Sequence, residues 1–393
     1  MTGGPELTLL SLHQRDAALD VRERFAAAVA PVTGPDVLVA ATCHRAEIAL
    51  ALPPGGDPRE AIARRLAVAL PVAAQVRTGR AALLHLVRVA CGLDSVIRGE
   101  AQVLGQLRRT FDAARDRGPL DPLLGRAVQR ALQVGRELRR TTALGSVRRT
   151  LGSLAVDAAL AGVADPPHAM ILVVGAGEIG KLALRALAAR VGSVVVVNRD
   201  FARAEALAAE HGATAVPLDR IDEVLDRAAA VIAAADTRGA VLTTERLSLR
   251  AARGPLTIVD LAVPRSVDAA ARSLPGLTYV DVDALADAAA PELDAAALAD
   301  LEERCARAAD DLVRELDERR AAPTIRALHA RTEYIRKEQL ERALSRLGHL
   351  SERDRAVVEA LSEALAHAIL HEPTVRLREA PEREAAARDL FAL

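Results

Sequence analysis

The chain has 393 residues, only six of them aromatic, and a formal net charge of −1. That length is too great for one hydrophobic core and implies two or three domains, while 51% apolar residues exclude disorder as the main state. So few aromatics exclude base stacking as a principal binding device, and the balanced charge leaves no overall footprint for a polyanion.

Residues 1 to about 150 mix strand-like runs (Leu7–Leu12, Val37–Ala41, Ile48–Leu52) with helical spacing that dominates from Leu83 to Arg140. The segment Leu52-Pro53-Pro54-Gly55-Gly56-Asp57-Pro58 reads as a loop. Met1 to Leu12 lacks the basic and apolar regions of a secretory signal, and no charge-free apolar run is long enough to predict a membrane span. Cys43, Cys91 and Cys305 are odd in number and far apart, so they make neither a disulfide framework nor a CxxC pattern. This predicts a reducing compartment, the cytoplasm, in which a special cysteine works as a thiol. Cys43 closes a strand-like run and is followed by His44 and Arg45, neighbours that lower a thiol pKa. Cys91 and Cys305 read as small core residues.

After Asp165-Pro166-Pro167 the pattern changes. Met170–Val174 is an apolar run suited to a parallel strand buried on both faces. Gly175-Ala176-Gly177-Glu178-Ile179-Gly180 then opens an amphipathic helix to about Arg190. Further strand-like runs at Val194–Val197, Ala213–Val216, Ala230–Ala234, Thr257–Ala262 and Leu277–Val280 predict a doubly wound α/β domain. In that context the glycines form a dinucleotide motif. The first permits the turn, the second admits pyrophosphate to the backbone, and the third lets helix and strand pack closely. The second strand ends at Asn198-Arg199, with no acid until Asp200. A guanidinium there suits a 2′-phosphate, which favours NADPH over NADH.

From Leu298 the apolar positions Leu298, Leu301, Cys305, Ala308, Leu312 and Leu316 form one face of a long helix, and helical periodicity resumes after Pro323 to about His371. A helical tail with no core partner of its own predicts packing against a second subunit; the alternative is a subdomain folded on the same chain. His367 and His371 share a helix face but lack the acid of an HExxH arrangement, and no metal site is assigned to them.

A thiol beside a nucleotide-reducing domain implies a definite chemistry. A thioester accepts hydride far better than an ester, so covalent capture by Cys43 makes an acyl ester reducible to an aldehyde. Here the residues resemble the glutamyl-tRNA reductase family along nearly the whole chain. Thr42-Cys43-His44-Arg45-Ala46-Glu47 is similar to the family's T-C-N-R-x-E. Gly92-Leu93-Asp94-Ser95, Gly99-Glu100, Gln102 and Gly105-Gln106 resemble its G-L-D-S, G-E-x-Q and G-Q signature. Val174–Gly180, Val197-Asn198-Arg199 and Asp260-Leu261-Ala262-Val263-Pro264-Arg265 resemble its cofactor domain. Pro323-Thr324-Ile325-Arg326-Ala327-Leu328 and Leu370-His371-Glu372-Pro373-Thr374 resemble its helical tail.

The resemblance implies a multidomain α/β architecture. An α+β catalytic and substrate-binding domain would span 1–150 and a Rossmann-like NADPH domain 151–290. A long linking helix and helical dimerisation domain would span 291–393. It implies that Cys43 attacks glutamyl-tRNA, that NADPH reduces the thioester, and that glutamate 1-semialdehyde is released, the first committed step of C5 tetrapyrrole synthesis. His85 would be the active-site histidine, although alone in Leu83–Val87 it reads as a satisfied core residue. Thr42, Arg45, Ser95, Glu100, Gln102 and Gln106 would bind substrate. Gly175, Ala176, Gly177, Glu178, Ile179, Gly180, Asn198 and Arg199 would bind NADPH. The family also implies a homodimer through the C-terminal helices and the docking of a glutamate-1-semialdehyde aminomutase.

The sequence departs from the family pattern at several points. His13-Gln14-Arg15-Asp16 stands where the family has N-H-K/R-T, His44 replaces an Asn, and Arg98 stands at an aliphatic position. These departures keep open a catalytically impaired paralogue that binds tRNA or a heme-pathway partner as a regulator, and an NADPH-dependent dehydrogenase that does not need Cys43 is a further reading. Counting by segment also qualifies the neutral total. Residues 98 to 149 hold twelve Arg against five acidic residues, a reasonable place for a tRNA backbone.

Overall fold

The computed structural model describes residues 5–41, 45–95, 97–235, 239–287, 293–380 and 383–393, apart from the side chains of Ala286, Asp287, Arg320 and Glu379. Elements β1 (Glu6–His13), α1 (Leu19–Val29), β2 (Val37–Ala41), β3 (Arg45–Leu52), α2 (Pro58–Leu66), β4 (Gln75–Thr78), α3 (Gly79–Cys91), α4 (Ala101–Asp116) and α5 (Pro122–Thr141) make the first unit. Its sheet is antiparallel, in the order β2-β3-β1-β4.

The period of two along β1 and β3 decides what lies on each face. Leu10, Leu12, Ile48, Leu50 and Leu52 pack on Phe25, Val29 and Ile62 of α1 and α2. Leu7, Leu9, Ala49 and Ala51 pack on Leu83, Leu86 and Val87 of α3. That second face turns polar toward one end, where Ser11 pairs with Glu47 and His13 with Arg45. A polar patch is thereby held between a rigid sheet and α3. The short edge strand β4, Gln75-Val76-Arg77-Thr78, has too few apolar positions to be predicted from periodicity.

Next come α6 (Leu151–Leu160), β5 (Met170–Val174), α7 (Glu178–Leu187), β6 (Ser193–Asn198), α8 (Phe201–His211), β7 (Thr214–Pro217), α9 (Ile221–Leu225), β8 (Ala230–Ala233), α10 (Thr244–Ala251), β9 (Leu256–Asp260), β10 (Leu277–Asp281) and α11 (Val282–Asp287). The sheet is parallel, in the order β10-β9-β8-β5-β6-β7. This is the Rossmann order, and its topological switch point lies between β5 and β8.

The remaining helices are α12 (Ala295–Arg346), α13 (Glu352–Glu379) and α14 (Glu384–Phe391). α12 runs unbroken through Pro323. A mid-helix proline removes a backbone hydrogen bond and costs about 3 kcal/mol, and here α14 buttresses the turn. The buried Thr324 hydroxyl donates to Glu384 Oε1 at 2.6 Å and accepts from Arg388 Nη1 at 3.3 Å.

The apolar face expected to await a second subunit is covered by the same chain. Leu301, Cys305, Ala309, Leu312 and Leu316 join the core of the first unit, and Ala308 is only partly covered. Ion pairs from Arg80 to Asp310, Arg88 to Glu302 and Arg126 to Glu315 hold the helix there. The uncovered apolar stripe lies instead on α13. Val357, Leu361, Leu365 and Ile369 recur every fourth residue and are 54–69% exposed. Among the described residues, no helix is long and apolar enough to cross a membrane.

Candidate active site

Strand β3 begins at Arg45, and the pairing of His13 with Arg45 and of Ser11 with Glu47 aims all four side chains at α3. Arg45 is 3% exposed. Its Nη2 donates to Ser95 Oγ at 3.2 Å, and its Nη1 lies 3.8 Å from Glu47 Oε1. Glu47 also accepts from His85 Nε2, at 3.0 and 3.1 Å from its two oxygens. On the other side of the ring, Nδ1 faces Asp94 Oδ2 at 3.6 Å. The imidazole is therefore fixed between two carboxylates and is not an apolar core histidine.

Asp94 anchors the next layer. Burial alone would raise its pKa, but hydrogen bonds from Arg88 and the nearby Arg88, His85 and Arg45 charges hold it at about 2. Arg88 also reaches Glu302, which links the patch to α12. His13 Nε2 donates to the Asp94 carbonyl at 2.9 Å, while His13 Nδ1 accepts from Arg15 N–H at 3.1 Å. Both ring nitrogens are thus used by the neutral form. Burial, then the Arg45 and Arg15 charges, keeps it neutral by lowering its pKa to about 4. A pocket of about 410 Å³ opens over these groups, lined by His13, Glu47, Arg77, His85, Arg88 and Asp94 among others.

Thr42, Cys43 and His44 lie outside the described residues; the strands on either side end at Ala41 and begin at Arg45. Glu100 is buried beside Arg45 and Arg139, at the start of α4. Gln102 and Gln106 follow on the same helix, half-buried, and Gln102 Oε1 has no hydrogen-bond partner among the described residues. Cys91 and Cys305 are fully buried with their sulfurs 3.8 Å apart. The hydrogen bond between them, together with burial, pushes the Cys305 thiol well above its ordinary value, so it is no nucleophile. Sequence reasoning had left Glu47 and Asp94 without a role. The Glu of T-C-x-R-x-E was the available signal.

The second site lies at the switch point. Gly175 has φ +115°, and a Cβ there would stand 2.5 Å from the Ala234 carbonyl. A Cβ on Gly180 would meet the Gly175 carbonyl at 2.2 Å, whereas one on Gly177 would meet nothing within 4 Å. Two glycines are thus demanded by packing, and the third leaves space at the uncapped N-terminus of α7, where a phosphate fits. Asn198 braces this loop: its Oδ1 accepts from Ala176 N–H at 3.4 Å and its Nδ2 donates to the Asp200 carbonyl at 2.9 Å. Arg199 is exposed at the groove rim with Arg203, which the sequence reading missed and which pairs with Asp200. Glu178 turns away to Arg109 of α4, at 3.6 Å, and Ile179 lines a separate cleft toward α1. The donor set fits a pyridine dinucleotide.

Glu100 supplies a test of this buried charge. Burial, against the opposing pull of Arg45 and Arg139, raises its pKa from 4.5 to about 7. The folded state then binds its proton more tightly than the unfolded chain, so stability falls as pH rises through that window, by at most about 1.4 kcal/mol per pH unit. Glu100→Gln should remove this component. In urea unfolding at about pH 5 and about pH 7, the variant should gain on the wild type at the higher pH. An equal difference at both would refute the burial of a titrating Glu100.

Family models match successive parts of the chain. The glutamyl-tRNAGlu reductase N-terminal domain matches residues 10–142. Shikimate / quinate 5-dehydrogenase matches 159–288, and the glutamyl-tRNAGlu reductase dimerisation domain matches 301–393. The glutamyl-tRNA reductase of Myxococcus xanthus is 36% identical, over 99% of this chain and 94% of its own. That of a Roseiflexus species is 34% identical, over 95% and 93%. In fold, the chain is similar to the solved glutamyl-tRNA reductase from Methanopyrus kandleri, which covers 98% of both chains at 24% identity and a TM-score of 0.50. With matches at both ends and relatives spanning nearly its full length, this chain belongs to the glutamyl-tRNA reductase family.

Proposed function

We propose that the protein reduces glutamyl-tRNA to glutamate 1-semialdehyde through a thioester on Cys43, with NADPH as the reductant. The observation that carries this reading is the cluster of buried Arg45, Glu47 and His85 with the partly buried Asp94, which begins two residues after the thiol. Residues 1–150 would load the substrate, 151–290 would hold the cofactor, and 291–393 would join two copies.

Arg45 and Ser95 are suited to the substrate's side-chain carboxylate, because a guanidinium and a hydroxyl give it directed donors in a site shielded from water. Cys43 Sγ attacks the ester carbonyl, the tRNA 3′-oxygen leaves with a proton, and the acyl group stays on sulfur. His85, held by Glu47, would move that proton. Gly177 and the α7 N-terminus would receive the pyrophosphate, and Arg199 with Arg203 the 2′-phosphate. When bound, NADPH supplies the hydride that turns the thioester into the aldehyde and returns the thiolate.

The tRNA would lie along α4 and α5, which expose Arg108, Arg115, Arg136 and Arg140, with Arg117 just after α4. Not all twelve Arg of that stretch are available to it. Arg139 is turned inward onto the carbonyls of Gly99, Glu100 and Leu144, and Arg126 is held by Glu315. The stripe on α13 would close a homodimer, since four large apolar side chains at one helical spacing are costly to leave in water.

Purified protein with glutamyl-tRNA should form semialdehyde only with a reduced nicotinamide, and Cys43→Ser should abolish it. Arg199→Ala should raise the KM for NADPH about tenfold or more and leave that for NADH nearly unchanged. Tight tRNA binding without turnover, or turnover in Cys43→Ser, would refute the reading. Glu47→Gln keeps the hydrogen-bonding shape but removes the charge beside His85 and Arg45; thioester formation in single turnover should fall by about 10²-fold. Wild-type rates in that variant would show that Glu47 does not orient the histidine.

A further inference from the structure

The first and second units share apolar packing, and they also meet along α1, where two consecutive residues make polar contacts. The Glu23 carboxylate accepts from Arg265 twice, from its backbone N–H at 2.8 Å and from its Nη2 at 3.1 Å. The neighbouring Arg22, 3% exposed, donates from Nη2 to both carboxylate oxygens of Asp283 at 2.5 and 2.6 Å. Its Nε is fixed on the Ala17 carbonyl at 3.2 Å. One helix of the first unit is therefore tied to two separate elements of the second, the loop after β9 and the helix α11.

The loop that presents Arg265 is held rigid from within. The buried Asp260 carboxylate accepts from the N–H groups of Ala262, Ser266 and Val267 at 3.0–3.1 Å. Between α1 and this loop lies a cleft of about 400 Å³ lined by Glu23 and otherwise by small or apolar side chains, including Ala26, Ala30, Ala41, Ile179 and Val263. It shares Ala234 and Ala235 with the dinucleotide groove. Ala41 stands two residues before Cys43. A flat ring continuing from the groove across the switch point would enter this cleft and come to the Ala41 end of β2.

We propose that α1 is a latch: the Glu23–Arg265 and Arg22–Asp283 pairs hold the nucleotide unit against the catalytic unit so that the reducing end of the cofactor lies beside the acyl-thiol. This rests on the function proposed above. Arg22, Glu23, Arg265 and Asp283 are positioning residues, and none of them touches the reacting atoms. Partly buried, doubly hydrogen-bonded pairs are able to set such a position, whereas the exposed Arg109–Glu178 contact adds little. Hydride transfer demands a fixed approach, and a displacement of about 1 Å costs about 10²-fold. Thioester formation needs only the catalytic unit. Breaking the latch should therefore separate two half-reactions that share Cys43.

The test uses the full chain as wild type, Glu23→Arg, Arg265→Glu, the two combined, and Asp283→Arg. Three quantities are read: free glutamate released from glutamyl-tRNA without NADPH, semialdehyde formed with NADPH, and the Kd of NADPH by fluorescence. Each single reversal should lower semialdehyde formation by about tenfold or more while glutamate release and the Kd stay within about twofold. The combined swap should recover semialdehyde formation to within about threefold of wild type. Unchanged semialdehyde formation in the single variants would overturn the latch, as would a parallel loss of all three quantities or a swap that fails to recover. If the wild type itself shows neither Cys43-dependent glutamate release nor NADPH-dependent reduction, the proposed function fails, and that outcome is distinct from failure of the latch.

Discussion

A guanidinium taken out of water has to be answered by negative charge and by hydrogen-bond acceptors, and Arg45 sets that demand here. It is 3% exposed at the start of a central strand, where an unpaired cation would cost several kcal/mol. Glu47 and Ser95 meet part of the demand directly, with Glu100 and Asp94 close enough for their pKa values to respond to it. The same carboxylates then hold His85 on both sides. A site built this way is rigid before substrate arrives, which favours catalysis by orientation. The cost of its desolvation is offset by sheet and helix packing at the apolar end of the same face.

That patch is wired to the rest of the molecule through ion pairs. Asp94 is held by Arg88, and Arg88 reaches Glu302 on the long helix. Arg80 and Arg126 fasten the same helix further along, so the support that carries the C-terminal helices is part of the catalytic unit's core. The nucleotide unit shares that core and is also tied by α1, through Glu23 and Arg22.

Much of the architecture was legible because it rests on local patterns. Met170–Val174 and Val37–Ala41 read as strands to the residue, since an apolar run bounded by glycine or proline leaves little choice. The glycine motif was legible for the same reason, and its steric demands at Gly175 and Gly180 match the roles read from spacing. What stayed hidden depends on contacts distant in sequence. Without the family resemblance His85 reads as a core residue, because Glu47, thirty-eight positions away, carries no helical or strand signal toward it. The stripe on α12 read as partnerless because its cover comes from α3 and α5, far upstream. That one helix runs unbroken through Pro323 was not legible, because the support of α14 cannot be seen from the local sequence. The role of Asn198 in bracing the glycine loop was equally invisible, and Thr42 and Cys43 lie outside the described residues.

The central claim is that the residues around Arg45 exist to load an acyl group onto Cys43. It is tested most directly by mass spectrometry of the intact protein and its peptides after rapid quenching with glutamyl-tRNA in the absence of NADPH. The account predicts a glutamyl adduct confined to the Cys43 peptide, absent in Cys43→Ser, and discharged when NADPH is added. An adduct elsewhere, or NADPH-dependent semialdehyde formation with no acyl-protein at any time point, would contradict it.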